Sequence, residues 1–393
     1  MQDEACEVVV VGGGPAGSAL AARLAEAGHD VLVLDRARFP RRKPCAECVN
    51  PAGVRALRAL GAWEAVRAAE HAPLAGWRIG TGTGHAFDGG FPDGARGIAI
   101  SRLLLDDVLL EHARARGAGV RTGARVVDVV RQGGRVAGVR LADEAGGGTI
   151  RARLVVGADG LRSVVVRRLG LLRRPPRLRK VGLTAHVEGF HGEPGRGEVR
   201  VSARGCLGIA AVSAETANVT VMAAGEEARA VGGDAGGYFD RALAEYGFPE
   251  VARVDEVLST GPFDWPVRRA VADGALLVGD AAGYYDPFTG QGIYRALHGA
   301  ELAARAAHAA LLAGDLSRRG LEPYERARRR AFAPGERLQR VIEAFVARPA
   351  LLGAVADRFA RRPQLADAMV QATGDIRPAG SLFRPAFIAA LLF

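Results

Sequence analysis

The sequence predicts an α/β fold, in which a buried parallel sheet with helices on its faces carries an inserted β-rich domain and ends in a helical C-terminus. Three observations predict it. An apolar strand, a glycine turn and an alanine-rich helix open the chain, and a second apolar strand follows at once. Residues 120–156 then change to short strand-like runs separated by glycines. A short buried strand returns at Ala275–Val278, and beyond its loop the pattern is mostly helical.

The elements follow in order. Glu7–Val11 reads as the first strand, and Val31–Leu34, closed by Asp35, as the second. Ser18–Ala27 is the helix between them, with Gly28 as its C-cap. Strands of such a βαβ unit lie parallel in a buried sheet. Arg36–Pro51 is a loop with three prolines, a basic run and two cysteines. Pro51–Ala69 is expected to be helical. Gly76–Gly97 is dense in glycine and turn residues and reads as strands and loops. Ser101 is placed to N-cap a helix running to about Arg116. Ala124–Val130, Val136–Leu141 and Thr149–Val156 are separated by Gln132-Gly133-Gly134 and Gly146-Gly147-Gly148, the pattern of a β-meander. Arg173–Lys180, with two prolines, reads as a crossing into a second, β-rich region with one helix near Gly237–Tyr246. A long helix is expected from about Gln291 to Ala313.

Composition narrows the function. The chain has 393 residues, 49% hydrophobic and 24% charged, which suits an ordinary globular protein. No uncharged apolar run reaches the length of a membrane span, and Glu7–Val11 is already a core strand rather than part of a leader, so the expected location is the cytoplasm. Net charge is +10, but only Lys43 and Lys180 are lysines, and the arginines are scattered apart from a dense patch over Arg167–Lys180. No nucleic-acid motif or aromatic interleaving accompanies that charge, so no nucleic acid is expected as partner. Four cysteines are too few for a disulfide framework.

The glycine turn is Gly12-x-Gly14-x-x-Gly17, and Asp35 stands 23 residues after Gly12 at the end of the next strand. This is the Rossmann-like dinucleotide pattern. Gly12 permits the tight turn, Gly14 lets the backbone approach a pyrophosphate, and Gly17 lets helix and strand pack closely. The helix start offers free N–H groups to the phosphates, and Asp35 can accept from the adenosine ribose. The motif alone does not choose between FAD and NAD.

Two later stretches do. LVVGADGLRSVVVRRLG at Leu154–Gly170 and ALLVGDAAGYYDPFTGQGIYRAL at Ala275–Leu297, together with VVVVGGGPAGSALAARLAEAG at the start, resemble the para-hydroxybenzoate hydroxylase-like flavoproteins. That superfamily includes single-component aromatic hydroxylases and geranylgeranyl reductases. The resemblance covers residues 6 to about 300. It implies a Rossmann-like FAD-binding domain over 1–75, 98–175 and 265–315, a substrate domain over 76–97 and 176–264, and a C-terminal helical segment over 316–393. It implies FAD contacts by Gly12, Gly14, Ala16, Gly17, Asp35 and Arg36 in the first unit. Gly279 and Asp280 would hold the ribityl chain, and Pro287, Gly290, Gly292 and Ile293 the loop and helix start beneath the isoalloxazine ring. Asp159-Gly160 resembles the motif used in FAD and NAD(P)H handling, Arg102 the arginine that contacts the cofactor, and Val126 the position of an adenine contact. Two of these keep a plainer alternative: Asp159 as a turn cap, and Arg102 as the partner of a surface acid such as Asp106. No second GxGxxG lies between a strand and a helix, so NAD(P)H, expected as a transient reductant, would have no Rossmann domain of its own.

Cys45-Ala46-Glu47-Cys48 admits three readings: a redox dithiol, half of a zinc site without a second half, or a flavin-side loop with one useful thiol. Lys43-Pro44-Cys45 resembles the reductase branch, which favours the third and makes Cys45 the catalytic candidate; a packing role for both thiols remains open. No metal is expected.

The chemistry therefore lies between three classes. The first expectation is an NAD(P)H-dependent monooxygenase hydroxylating an apolar or aromatic small molecule. The second is a geranylgeranyl-reductase-like enzyme saturating isoprenoid double bonds, towards which Asp286–Ile293 and the Cys45 loop lean. The third is a non-catalytic flavin-binding electron carrier. Gly205–Ala210 lacks the Trp and Pro of the middle-strand signature shared by reductases and halogenases, and two lysines leave little for a halogenase. The substrate is expected to be small and apolar, with Trp77, Phe91, Phe263, Trp265 and Tyr285 either near its cavity or packing between domains. The apolar stretch Leu382–Phe393 either docks on the body or touches a membrane. The oligomeric state stays open.

Overall fold

The computed structural model describes residues 4–143 and 147–392. Its first sheet is parallel at the centre. Glu4–Val11 pairs with Thr149–Gly157 on one side and Val31–Asp35 on the other. Ala275–Leu277 extends it beyond Thr149–Gly157, and Gly119–Thr122 extends it beyond Val31–Asp35. Val8, Val9 and Val10 are fully buried, as strands covered on both faces require. Helices Pro15–Glu26, Arg102–Ala115 and Gly292–Ala313 pack around it, lined with alanine and leucine.

The meander forms as expected over Val126–Gln132, Arg135–Leu141 and Thr149–Gly157. Its last strand has a second role, since it is also the parallel neighbour of the first strand. Of the glycine turn expected at 146–148, Gly146 lies outside the described residues, as does Phe393 at the end of the apolar tail. The helix expected over Pro51–Ala69 is two helices, Pro51–Leu60 and Trp63–Ala68. Gly61 breaks it: its φ of 77° is left-handed, a C-terminal stop that the apolar pattern across it concealed. Ser101 caps Arg102–Ala115 by accepting from the N–H of Leu103.

A second sheet joins Gly76–Thr81 and Ala86–Gly90 to Lys180–Glu188, Arg196–Ser202, Gly205–Ala211 and Thr216–Ala224. Period-2 alternation sorts its faces. Leu183, Ala185, Val187, Val219 and Val221 pack under helix Ala235–Glu245 with Phe239. Lys180, Gly182, Thr184, Asn218, Thr220 and Met222 face the opposite way, into a cleft. The C-terminal helices Arg318–Val346, Pro349–Arg361 and Pro363–Thr373 close that cleft, with Phe359 packed edge-on against Phe87 of the sheet at 4.9 Å. The last helix, Pro385–Leu392, docks through Phe387 and Leu391 onto the same cluster. No helix of the described residues is long and apolar enough to cross a membrane.

Tyr324 fastens the long C-terminal helix to the first sheet. It is 1% exposed, and its hydroxyl donates to the carbonyl of Leu277 at 2.6 Å. Tyr324→Phe leaves that carbonyl buried and unpaired, so unfolding free energy is expected to fall by about 1–2 kcal/mol. Urea denaturation followed by circular dichroism measures it; an unchanged midpoint contradicts the assignment.

Candidate functional site

The site grows from the glycine turn. Gly12 has φ 108°, and a Cβ there would meet the carbonyl oxygen of Ala158 at 2.5 Å. A Cβ on Gly17 would lie 1.8 Å from the carbonyl oxygen of Gly12. Both positions therefore exclude side chains for packing reasons. Gly14 differs: the nearest atom to its Cβ would be Arg41 Nη2 at 3.5 Å, so what the missing side chain leaves clear is the cleft itself. Helix Pro15–Glu26 starts there without a side-chain cap, so the N–H groups of its first turn stay available.

Asp35 locks this turn. Its Oδ2 accepts from the N–H of Gly13 and its Oδ1 from that of Ala37, each at 2.8 Å. A carboxylate has about four lone-pair sites, so capacity remains for ribose hydroxyls.

One continuous cleft of about 1670 Å³ connects the sequence motifs. Gly12, Gly14, Ala16, Asp35, Arg36, Cys45, Arg102, Val126, Asp159, Gly160, Gly279, Asp280, Pro287, Gly290, Gly292 and Ile293 all line it. Gly17 does not, consistent with a packing role. Added Cβ atoms at Gly290 and Gly292 would meet nothing within 4 Å, and helix Gly292–Ala313 begins there without a side-chain cap. A second uncapped helix start thus faces open space where a flat ring can lie.

Asp159 is a cap with one oxygen left over. Its Oδ2 caps the following short helix by accepting from the N–H of Val164 at 2.6 Å. Its Oδ1 is buried without a hydrogen-bond partner among the described residues, and burial pushes the carboxyl above its ordinary range. An unmet acceptor at the cleft wall suits a hydroxyl or N–H of a bound group.

Arg102 is paired with Asp106, as its plainer alternative held, but Asp106 is not a surface acid. It is fully buried and takes a bidentate pair from Arg102 at 2.6 and 2.7 Å. Arg41 adds a third contact at 3.1 Å. Burial opposes the Arg102 charge, but Asp106 outweighs it and holds the guanidinium protonated. Lys43 lies nearby, and burial, with Arg102, pulls its ammonium below the usual range. Arg41, Lys43 and Arg102 make this part of the cleft cationic, as a pyrophosphate requires.

Cys45 and Cys48 are both free thiols. Cys48 Sγ turns to the carbonyl of Ala46 at 3.1 Å and packs with Leu74, Ala99 and Val212, and burial pushes it well above a reactive range. That leaves the dithiol reading without support. No group of three or more metal-ligating side chains occurs among the described residues. Cys45 is half-buried on the cleft, and its Sγ accepts from the N–H of Glu47 at 3.3 Å.

Of the five aromatics, Trp77 and Phe263 line the cleft. Phe91 packs beside the Cys48 cluster, Trp265 donates to the carbonyl of Pro262, and Tyr285 lies under Arg340, all off the lining. Sequence reasoning missed Glu47, His186 and the Lys180–Asp286–Glu343 cluster. Glu47 is 3% exposed, and Lys180 bridges Asp286, at 3.1 Å, and Glu343. Glu47 sat inside the cysteine loop that drew attention, but His186 reaches it, and Glu343 reaches Lys180, only through tertiary pairing.

These residues fit FAD: two uncapped helix starts, a glycine cradle, a cationic stretch, and acids placed for ribose and ribityl hydroxyls. Gly14→Leu fills the cradle without straining the backbone, whose φ of −75° any residue adopts. FAD affinity is expected to fall at least tenfold (about 1.4 kcal/mol) with the circular dichroism spectrum unchanged; wild-type affinity in that variant contradicts the placement.

Known proteins agree. The family described as FAD binding domain matches residues 5–223. A menaquinone reductase of Mycobacterium tuberculosis is 33% identical over 335 residues, covering 77% of this chain and 76% of that protein. A digeranylgeranylglycerophospholipid reductase of Methanoculleus marisnigri is 30% identical over 330 residues, covering 81% and 80%. Among solved structures, a myxobacterial chondrochloren halogenase, an FAD-dependent enzyme, superposes with TM-score 0.78 at 25% identity over 98% of this chain and 92% of that one. A geranylgeranyl bacteriochlorophyll reductase-like protein from Thermoplasma acidophilum superposes with TM-score 0.81 over 97% and 99%, at 21% identity that speaks for the fold alone. The chain belongs to the FAD binding domain family of para-hydroxybenzoate hydroxylase-like flavoproteins and is an FAD-dependent oxidoreductase.

Proposed function

We propose that the chain is a reductase that saturates a carbon–carbon double bond in the isoprenoid part of a lipid. The observation that carries this is the volume and lining of the cleft. At about 1670 Å³ it exceeds the ~300–1,000 Å³ of most single-ligand pockets, so it holds space beyond a dinucleotide. That space is apolar: Met222, Phe263, Val346, Leu352, Phe359 and Phe387 line it. The strand Gly205–Ala211, without the Trp and Pro of the reductase signature, contributes Cys206, Gly208 and Ala210, small side chains that leave a wide wall. The relatives named as reductases of menaquinone and of a digeranylgeranyl lipid support the same substrate class.

FAD, when bound and reduced, would supply a hydride to one carbon of the double bond, and a proton drawn from solvent would complete the addition of two hydrogens at the other; NAD(P)H is the proposed source of its electrons. The chain's own residues orient the two partners and exclude water. Cys45 stands on the cleft as the candidate catalytic group. Lys180, whose ammonium is held by Asp286 and Glu343, is not free for halogenase chemistry. The far rim of the cleft is apolar and exposed, with Val341 at 38%, Phe383 at 39% and Ile388 at 43%. Arg340 is exposed on the same helix as Val341, and Arg348 and Arg384 are exposed at the joins between the C-terminal helices. This rim is the proposed contact with an anionic lipid surface, from which a prenyl chain can enter without crossing water.

The test is anaerobic turnover with reduced flavin on isoprenoid quinones and prenyl ether lipids, read by mass spectrometry. A product two hydrogens heavier supports the reading. A product one oxygen heavier, made only with O₂, overturns it in favour of the hydroxylation first expected from sequence. Cys45→Ala is expected to retain FAD and lose at least tenfold in turnover. Flotation with anionic vesicles is expected to carry the wild type and to release Phe383→Ser/Ile388→Ser; equal flotation contradicts the rim as the lipid contact.

A further inference from the structure

We propose that Glu47 is a positioning residue whose carboxylate clasps the Cys45 loop to the second sheet through His186, and so sets where the loop stands over the FAD site. The proposal rests on the FAD reading and adds to it a device that none of the sequence motifs marks.

Glu47 is an unusual residue for its place. Its φ is 58°, the left-handed region that glutamate rarely adopts, and it is 3% exposed. A strained, buried acid persists only where its surroundings over-determine it. Here they do. Oε1 accepts from the backbone N–H of Arg102 at 2.7 Å. Oε2 accepts from His186 Nε2 at 2.8 Å and Asn218 Nδ2 at 3.2 Å, both on the second sheet. The Glu47 carbonyl accepts from Ile100, and its N–H donates to Cys45 Sγ. One residue thus ties the thiol, the start of the Arg102 helix and two strands of the cleft wall.

The clasp depends on the charge of His186. Its Nδ1 faces Asp255 Oδ2 at 2.7 Å while its Nε2 faces Glu47. A carboxylate only accepts, so both ring nitrogens must carry hydrogen and the ring is an imidazolium. Glu47 first, against burial and with Asp255 adding, raises its pKa to about 9. The other charges here are Arg42, paired with Asp255 at 2.7 Å, and Arg253, which donates to the Asp255 carbonyl. The folded value lies above the ordinary ~6.5, so the clasp's contribution to stability is full below pH ~6.5, and the clasp itself is lost as pH rises through about 9. Above that, one ring nitrogen presents a lone pair to a carboxylate, and the loop loses its hold.

The experiment uses holoenzyme and Glu47→Gln, which keeps shape and removes charge. Histidine NMR, with His186 assigned by its loss in His186→Asn, is expected to titrate near pH 9 in the wild type and at least one unit lower in Glu47→Gln. The visible spectrum of bound flavin is expected to change over the same alkaline range in the wild type and earlier in the variant. Alkylation of Cys45 at pH 7.5 is expected to quicken at least fivefold in Glu47→Gln and in His186→Asn. Wild-type titration and labelling in Glu47→Gln overturn the proposal. If Glu47→Gln does not fold, His186→Asn decides through Cys45 labelling, and no acceleration there overturns it. A wild type that takes up no FAD defeats the FAD reading instead, while histidine titration and labelling still judge the clasp.

Discussion

The carbonyl oxygen of Gly12 lies where a side chain on Gly17 would begin, and the backbone at Ala158 lies where one on Gly12 would. Three backbone segments meet there without room for a methyl group. This close approach aims the first helix at the cleft and brings the ends of Glu4–Val11 and Thr149–Gly157 level with each other. Asp159-Gly160 follows directly on that second strand, so its position is set by the same contact. Asp35, bonded to Gly13 and Ala37, fixes the third corner. A dinucleotide site here is therefore a consequence of how tightly the parallel sheet and its first helix pack.

The second constraint is charge burial. Asp106 is fully buried, which is tolerable only because Arg102 and Arg41 meet it with three short contacts. Glu47 and Asp286 are similarly buried and similarly paired. Each joins elements distant in sequence: Glu47 the cysteine loop with the second sheet, and Asp286, through Lys180, its loop with the second sheet and the helix Arg318–Val346. Removing one partner of such a pair costs more than the pair contributes, because a lone charge is left in a poor solvent. The clusters consequently specify how the layers sit, whatever they add to stability.

Local signals explain what could be read in advance. The βαβ unit, the meander and the long helix at Gly292 each carry their pattern within about thirty residues of continuous chain, and each formed within a few residues of its expected bounds. The glycine and aspartate motifs around the FAD site were legible for the same reason. Gly61 shows the limit of periodicity: an apolar pattern continues across it, while a single left-handed residue ends the helix. Asp106 shows another, since i,i+4 spacing gives the pair with Arg102 but says nothing of burial. His186, Asn218 and Glu47 lie on separate elements and become a cluster only when the second sheet covers the cysteine loop. No spacing rule encodes that.

The cleft also has a direction. Towards the glycine turn its walls carry Arg36, Arg41, Lys43, Arg102 and Asp35, groups that suit phosphates and ribose. Towards the C-terminal helices they are leucine, valine and phenylalanine, which suit a hydrocarbon chain. The same lining also carries the polar groups Cys45, Glu47, Thr184 and Asn218. A ligand with a polar end and a long apolar tail lowers its free energy only by placing its tail at the far end, since burying the polar end there would forfeit hydrogen bonds worth about 1–3 kcal/mol each.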